Sequence, residues 1–128
     1  MQQILYIAAG GSLGAVARYG MAAYVYRMSA GSFPWGTLVI NLTGSFVIGV
    51  LAELFDNLIV PSMWRSFLTI GFLGAYTTFS TFTLETVNLI HDGEFRLAAG
   101  NILASNIAGI LLVLFGMYCS KLILRAVA

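Results

Sequence analysis

The chain has 128 residues, 59% hydrophobic and 9% charged, with a mean hydropathy of +0.91, whereas soluble domains carry roughly 25% charged residues. Six Lys and Arg, five Asp and Glu and one His cannot clothe a water-exposed surface, so most of that surface must face lipid. A net charge of +1 without a basic stripe excludes nucleic-acid binding, the lone Cys119 excludes an intrachain disulfide, and with a single His91 it argues against structural zinc.

Four apolar stretches predict four membrane-spanning helices, over about 4–26, 33–54, 63–90 and 97–121. Each can cross a hydrocarbon core roughly 30 Å thick. A barrel would need more alternating strands than 128 residues supply. The first stretch lacks a basic leader flank and reads as a retained span. The connections are short: Met28 to Ser32, a segment around Glu53 to Arg65 containing Pro61, and His91-Asp92-Gly93-Glu94. The expected architecture is therefore a single four-helix transmembrane domain.

The first span contains Arg18, the only cation well inside a helix, beside Gly10, Gly11 and Gly14, whose spacing suits close helix contact. Arg18 either snorkels to the interface or anchors a vestibule or a set of backbone carbonyls. In the second span Asn41 lies near the middle. Its amide has two donors and one carbonyl acceptor to satisfy, either between helices or by donation to a permeating anion.

The third span is unusual. After Gly71 and Gly74 come Thr77, Thr78, Ser80, Thr81, Thr83 and Thr86, six hydroxyl residues within ten positions. Such residues compete with the helix for backbone hydrogen bonds. Either the helix is straight and its hydroxyls bond back to its own carbonyls, or it breaks near 74–78. A break would expose carbonyls to a small cation at the end of one half-helix and donors at the start of the next. Phe79 and Phe82 share a helical face. Phenylalanines so spaced are commonly core or lipid-facing, yet these lie among hydroxyls, and their electropositive ring edges can face an anion without holding it tightly. Ser80, Thr81 and Thr83 would extend a polar track, with Ser105 and Asn106 of the fourth span opposite. Glu85 is a proton-coupled carboxylate, the end of that track, or a residue reaching the headgroups.

Basic residues give almost no orientation bias. Arg65, Lys121 and Arg125 share one side, while Arg27 and Arg96, with Arg18 toward the same end, share the other. Either one extra charge fixes a single orientation, or the chain inserts both ways and pairs as an antiparallel homodimer, as inverted repeats do within larger transporters. One His and a loop of acids do not assemble a nucleophile, base and orienting group, so catalysis is not expected.

The strings Gly10-Gly11-Ser12-Leu13-Gly14-Ala15-Val16-Ala17-Arg18-Tyr19, Gly36-Thr37-Leu38-Val39-Ile40-Asn41-Leu42-Thr43-Gly44, and Gly71-Phe72-Leu73-Gly74 followed by Thr77-Thr78-Phe79-Ser80-Thr81-Phe82 resemble the Fluc (CrcB) family of fluoride channels. The resemblance covers nearly the whole chain, and the third string is the most specific. It implies a dual-topology antiparallel homodimer in the inner (plasma) membrane, with two fluoride pores and a structural sodium ion at the dimer interface. Carbonyls of Gly74 and Thr77 would hold the sodium, Phe79 and Phe82 would bind fluoride through ring edges, and Asn41 would donate to it. Ser80, Thr81, Ser105 and Glu85 would belong to the polar track and Arg18 to the vestibule. Tyr76 receives no role. The implied purpose is passive fluoride export that lowers toxicity, with no obligate protein partner beyond a second copy. The alternative is a small dual-topology, proton-coupled exporter of toxic compounds, which needs an embedded carboxylate; Glu85 is the only candidate.

Overall fold

A computed structural model describes residues 1–127, and among them every regular element is helical. Helix α1 spans Gln2–Met28 and α2 spans Trp35–Asn57. The third span starts with α3 (Ser62–Ser66), continues through a π-helical stretch Phe67–Leu73 into the short α4 (Gly74–Tyr76), and resumes as α5 (Phe79–His91). The fourth comprises α6 (Phe95–Leu103), a second π-helical stretch Ala104–Ala108, and α7 (Gly109–Val127). Trp35–Asn57, Ser62–His91 and Phe95–Ala126 are long and apolar enough to cross a membrane. Helix α1 has 27 residues and comparable reach, though it carries Arg18 within its length.

Sequence punctuation explains the boundaries. Pro34 and Pro61 immediately precede α2 and α3, where a missing N–H costs nothing. Gly31 and Gly93 take positive φ values of 99° and 78° in the first and third connections, a region open to glycine without steric cost. Arg65 meets one carbonyl of the last turn of α2 and two of the connection that follows it. Its guanidinium donates to the carbonyls of Phe55, Leu58 and Val60 and lies 5.1 Å from the centroid of the Phe55 ring. At the same end, the largely buried Glu53 accepts from Asn57 Nδ2 at 3.0 Å and pairs with Lys121 Nζ at 3.5 Å, joining α2 to α7.

Helices pack here through bare backbone. A Cβ at Gly10 or Gly14 of α1 would overlap the carbonyl oxygen of Phe67 or Phe72, and one at Gly49 of α2 or Gly116 of α7 would overlap that of Val113 or Phe46. Small residues allow this approach where lipid offers no hydrophobic drive to associate. The small core gathers Ile40, Leu73 and Tyr76, flanked by Ala17, Met21, Ile48 and Phe72. Outside it, α7 exposes Ile110, Leu114, Phe115 and Ile123, as expected of a helix that meets acyl chains.

Candidate functional site: a broken helix beside a neutral cleft

The third span is interrupted at two residues. Thr77 (φ −81°, ψ 159°) and Thr78 (φ −150°, ψ 118°) are extended between α4 and α5. Local chemistry ends the first half-helix: the N–H and hydroxyl of Thr77 both donate to the Leu73 carbonyl, at 3.0 and 2.9 Å. It also starts the second, because Thr78 Oγ1 accepts from the Thr81 N–H at 3.2 Å as an N-cap.

Asn41 holds the interruption open. Its Oδ1 accepts the Thr78 N–H at 2.8 Å, while its Nδ2 donates to the Thr78 carbonyl at 3.0 Å. In a continuous helix that N–H would close on the Gly74 carbonyl, four residues back. Asn41 diverts it and so frees the Gly74 oxygen. Gly44, one turn further along α2, leaves room for the Thr77 methyl group, which a Cβ there would overlap. Asn41 therefore meets the interhelical demand considered for it and retains a second N–H.

Beside the break lies an open cleft of about 370 Å³, lined from α2 by Asn41 and Ser45, from the third span by Gly74, Thr77, Thr78, Phe79 and Phe82, and from the fourth by Ser105 and Asn106. No charged side chain lines it. The Phe79 and Phe82 rings are 5.7 Å apart and inclined at 44°; Phe82 is 8% exposed and Phe79 77%. A surface of hydroxyls, amides and ring edges can replace part of an anion's hydration shell without the grip of a fixed cation.

Ser105 and Asn106, successive residues of the π-helical stretch Ala104–Ala108, both line this cleft. Behind them a buried chain of hydrogen bonds joins the third and fourth spans. Ser105 Oγ donates to Asn101 Oδ1 at 3.5 Å, Asn101 Nδ2 to Thr86 Oγ1 at 2.9 Å, and Thr86 Oγ1 to the Phe82 carbonyl at 2.8 Å. Asn101, 1% exposed, was not singled out from sequence. The available signal was an amide within an apolar run, the same signal that marked Asn41.

The remaining residues lie elsewhere. Ser80 and Thr81 are exposed on the first turn of α5 and do not line the cleft. Glu85 borders a separate cleft of about 190 Å³ with Tyr26, Asn88 and Asp92. Its Oε1 accepts from Tyr26 Oη at 3.0 Å and Thr37 Oγ1 at 2.9 Å, tying the third span to the first two, while Oε2 is buried without a partner. It is a tether between helices rather than a side chain stretched free toward the headgroups. Arg18 is half-buried, forms no ion pair among the described residues and lines neither cleft.

A profile of the CrcB family, described as CrcB-like protein, Camphor Resistance (CrcB), matches residues 5–117. The chain belongs to this family. A relative from Magnetococcus marinus is 46% identical over 122 residues, spanning 94% of this chain and 99% of its own. One from Geobacter sulfurreducens is 49% identical over 106 residues (82% and 86%), and one from Dehalococcoides mccartyi 43% identical over 124 (96% and 95%). All three are named fluoride-specific ion channel FluC. Channel kinship together with helices long and apolar enough to span a membrane makes this a multi-pass membrane protein.

Proposed function

We propose that the chain is a fluoride channel that lets the ion leave the cytoplasm passively across the inner (plasma) membrane and so lowers its toxicity. The observation that carries this reading is the Asn41-held break, which brings two half-helix ends, two phenylalanines and neutral donors from three spans to one uncharged cleft. Its membership of the CrcB family, with relatives named as fluoride channels, supports the choice of ion. In this reading Phe79, Phe82, Asn41 and Ser105 face fluoride, Ser80 and Thr81 extend the track, Glu85 ends it, and Arg18 stands in the vestibule.

The functional unit in this reading is an antiparallel homodimer with two pores. The near-even division of basic residues supports insertion both ways, and the 77% exposure of Phe79 suits a face covered by a second copy. A structural sodium ion fits the chemistry at the break. Diverting the Thr78 N–H leaves the Gly74 carbonyl free, the extended Thr77 follows three residues later, and unwound carbonyls of this kind suit a small monovalent cation. Among the described residues no three His, Cys, Asp or Glu gather, so a cation held here would rest on neutral oxygens. Carbonyls of Gly74 and Thr77 from each copy would hold it, and it would supply fixed positive charge between the pores.

Fluoride efflux from liposomes, recorded with an electrode after adding a potassium ionophore, tests the reading. Wild type is expected to release fluoride rapidly and chloride little. Phe79→Ile and Phe82→Ile should each slow release about tenfold, the effect of losing an interaction worth ~1.4 kcal/mol, with the oligomer intact on gel filtration. If both conduct like wild type, the pore assignment is wrong. Uphill fluoride movement driven by a pH gradient would replace the channel with coupled fluoride-proton exchange.

A further inference from the structure

Three successive residues at the break meet one turn of α2. Asn41 holds Thr78, and Gly44 accommodates Thr77. Tyr76, the last helical residue of α4, is held differently. Its ring is 8% exposed, sits in the core with Ile40 and Leu73, and stacks on Phe72 at 6.0 Å with planes 10° apart. Its hydroxyl lies 2.9 Å from Thr43 Oγ1. The Thr43 hydroxyl already has an acceptor in the Val39 carbonyl at 2.8 Å, so the Tyr76 O–H donates and Thr43 Oγ1 accepts.

Packing alone does not need this bond, since phenylalanine would fill the same space. A phenol on a buried ring facing the membrane interior is costly unless paired. What the pair adds is direction: it fixes the rotation of Tyr76 about α2, one residue before the chain turns extended. Thr43 and Asn41 tether the residues on either side of Thr77, so the course of the backbone from Gly74 to Phe79 is set from both ends.

We propose that Thr43 and Tyr76 form a hydroxyl latch that sets the geometry of the break. Both are positioning residues: neither lines the cleft with Phe79 and Phe82, and they act through the backbone that carries those groups. This rests on the channel reading for its consequence in conduction.

The test compares purified wild type with Tyr76→Phe, Thr43→Val, the double variant and Thr43→Ser, reading deuterium uptake by peptide and fluoride efflux from liposomes. Tyr76→Phe should speed amide exchange over residues 77–81 about fivefold, the factor expected for one lost hydrogen bond, and Thr43→Val at least as much, because it leaves the buried phenol without its partner. Exchange in α1 and α7 should stay unchanged while efflux slows severalfold. The double variant should exceed neither single, because both remove the same bond and the double leaves no unpaired phenol, and Thr43→Ser should keep wild-type behaviour. Unchanged exchange over the break in Tyr76→Phe overturns the latch, as does an equal rise along all four spans, which marks a structural role only. Additive effects in the double variant also overturn it. Wild-type liposomes that release no fluoride would sink the channel reading, and the exchange contrast would still decide whether the latch exists.

Discussion

Asn41→Asp is expected to reduce fluoride efflux at least about 100-fold in a protein that still elutes as a folded oligomer. The amide now uses opposite ends on one residue, accepting the Thr78 N–H at 2.8 Å and donating to the Thr78 carbonyl at 3.0 Å. A carboxylate keeps the first bond. It turns the second into a repulsive approach of two oxygens, and it adds a negative charge to a cleft whose lining carries none. A unit charge ~4 Å from an anion costs about 4 kcal/mol at an effective dielectric of ~20, which by itself exceeds a 100-fold change. Asn41→Leu separates the two roles. It brings no charge but leaves both polar groups of Thr78 unpaired, at about 1–3 kcal/mol each, so it should lose thermal stability as well as flux. Flux recorded alongside gel filtration and melting distinguishes the two variants. Wild-type conduction by Asn41→Asp would mean that the amide faces away from the ion path.

That residue also shows how far local pattern reaches. An amide in the middle of an apolar helix announces itself from sequence, because its hydrogen-bonding groups must be met inside the membrane. Its partner does not, since Thr78 is 37 positions away and the pairing exists only once α2 lies against the third span. Four long helices and the absence of strands among the described residues follow from composition and run length, which are likewise local. Glycine beside clustered hydroxyls points to the neighbourhood of the interruption for the same reason. The point of rupture was not legible: Thr77 also bonds back to Leu73 as residues in unbroken helices do, and the diversion of the next N–H comes from α2.

The two π-helical stretches have no signature in the local sequence. Phe67–Leu73 lies in close backbone contact with Gly10 and Gly14 of α1, and Ala104–Ala108 follows the buried Asn101. The glycines of α1 are remote in sequence from the first stretch, and Asn101, though only three residues before the second, finds its partner Thr86 on another span. Glu85 shows the same limit. Its place near the end of a span leaves a proton-coupled carboxylate, the end of a polar track and a headgroup-reaching residue open, and only the packed helices show Tyr26 and Thr37 reaching it from two other spans. Which residues are polar could be read along the chain, and what satisfies them could be read only from the packed helices.

Gly49→Ala tests whether that packing depends on bare backbone. A Cβ at position 49 would overlap the Val113 carbonyl oxygen and lie 2.9 Å from its carbon, while one at Gly116 would overlap the Phe46 carbonyl oxygen and lie 3.0 Å from Val50 N. In each case the obstacle is the facing backbone, which cannot rotate aside as a side chain can, so α2 and α7 must separate. Overpacking typically costs about 1–3 kcal/mol, and the upper end or beyond is expected here because relief requires moving a whole helix. In lipid that separation forfeits the close contact on which helix association depends. Gly49→Ala should therefore lower the melting temperature sharply and shift the protein toward aggregate on gel filtration. Combining it with Gly116→Ala should cost less than the sum, since both open one interface. Gly20→Ala provides the contrast: nothing lies within 4 Å of a Cβ there, and replacing a helical glycine gains up to about 1 kcal/mol of helix propensity. It should be neutral or slightly stabilising. Equal melting temperatures for Gly49→Ala and Gly20→Ala would show that α2 and α7 can repack around a methyl group, and the four-span arrangement would then owe little to its glycines.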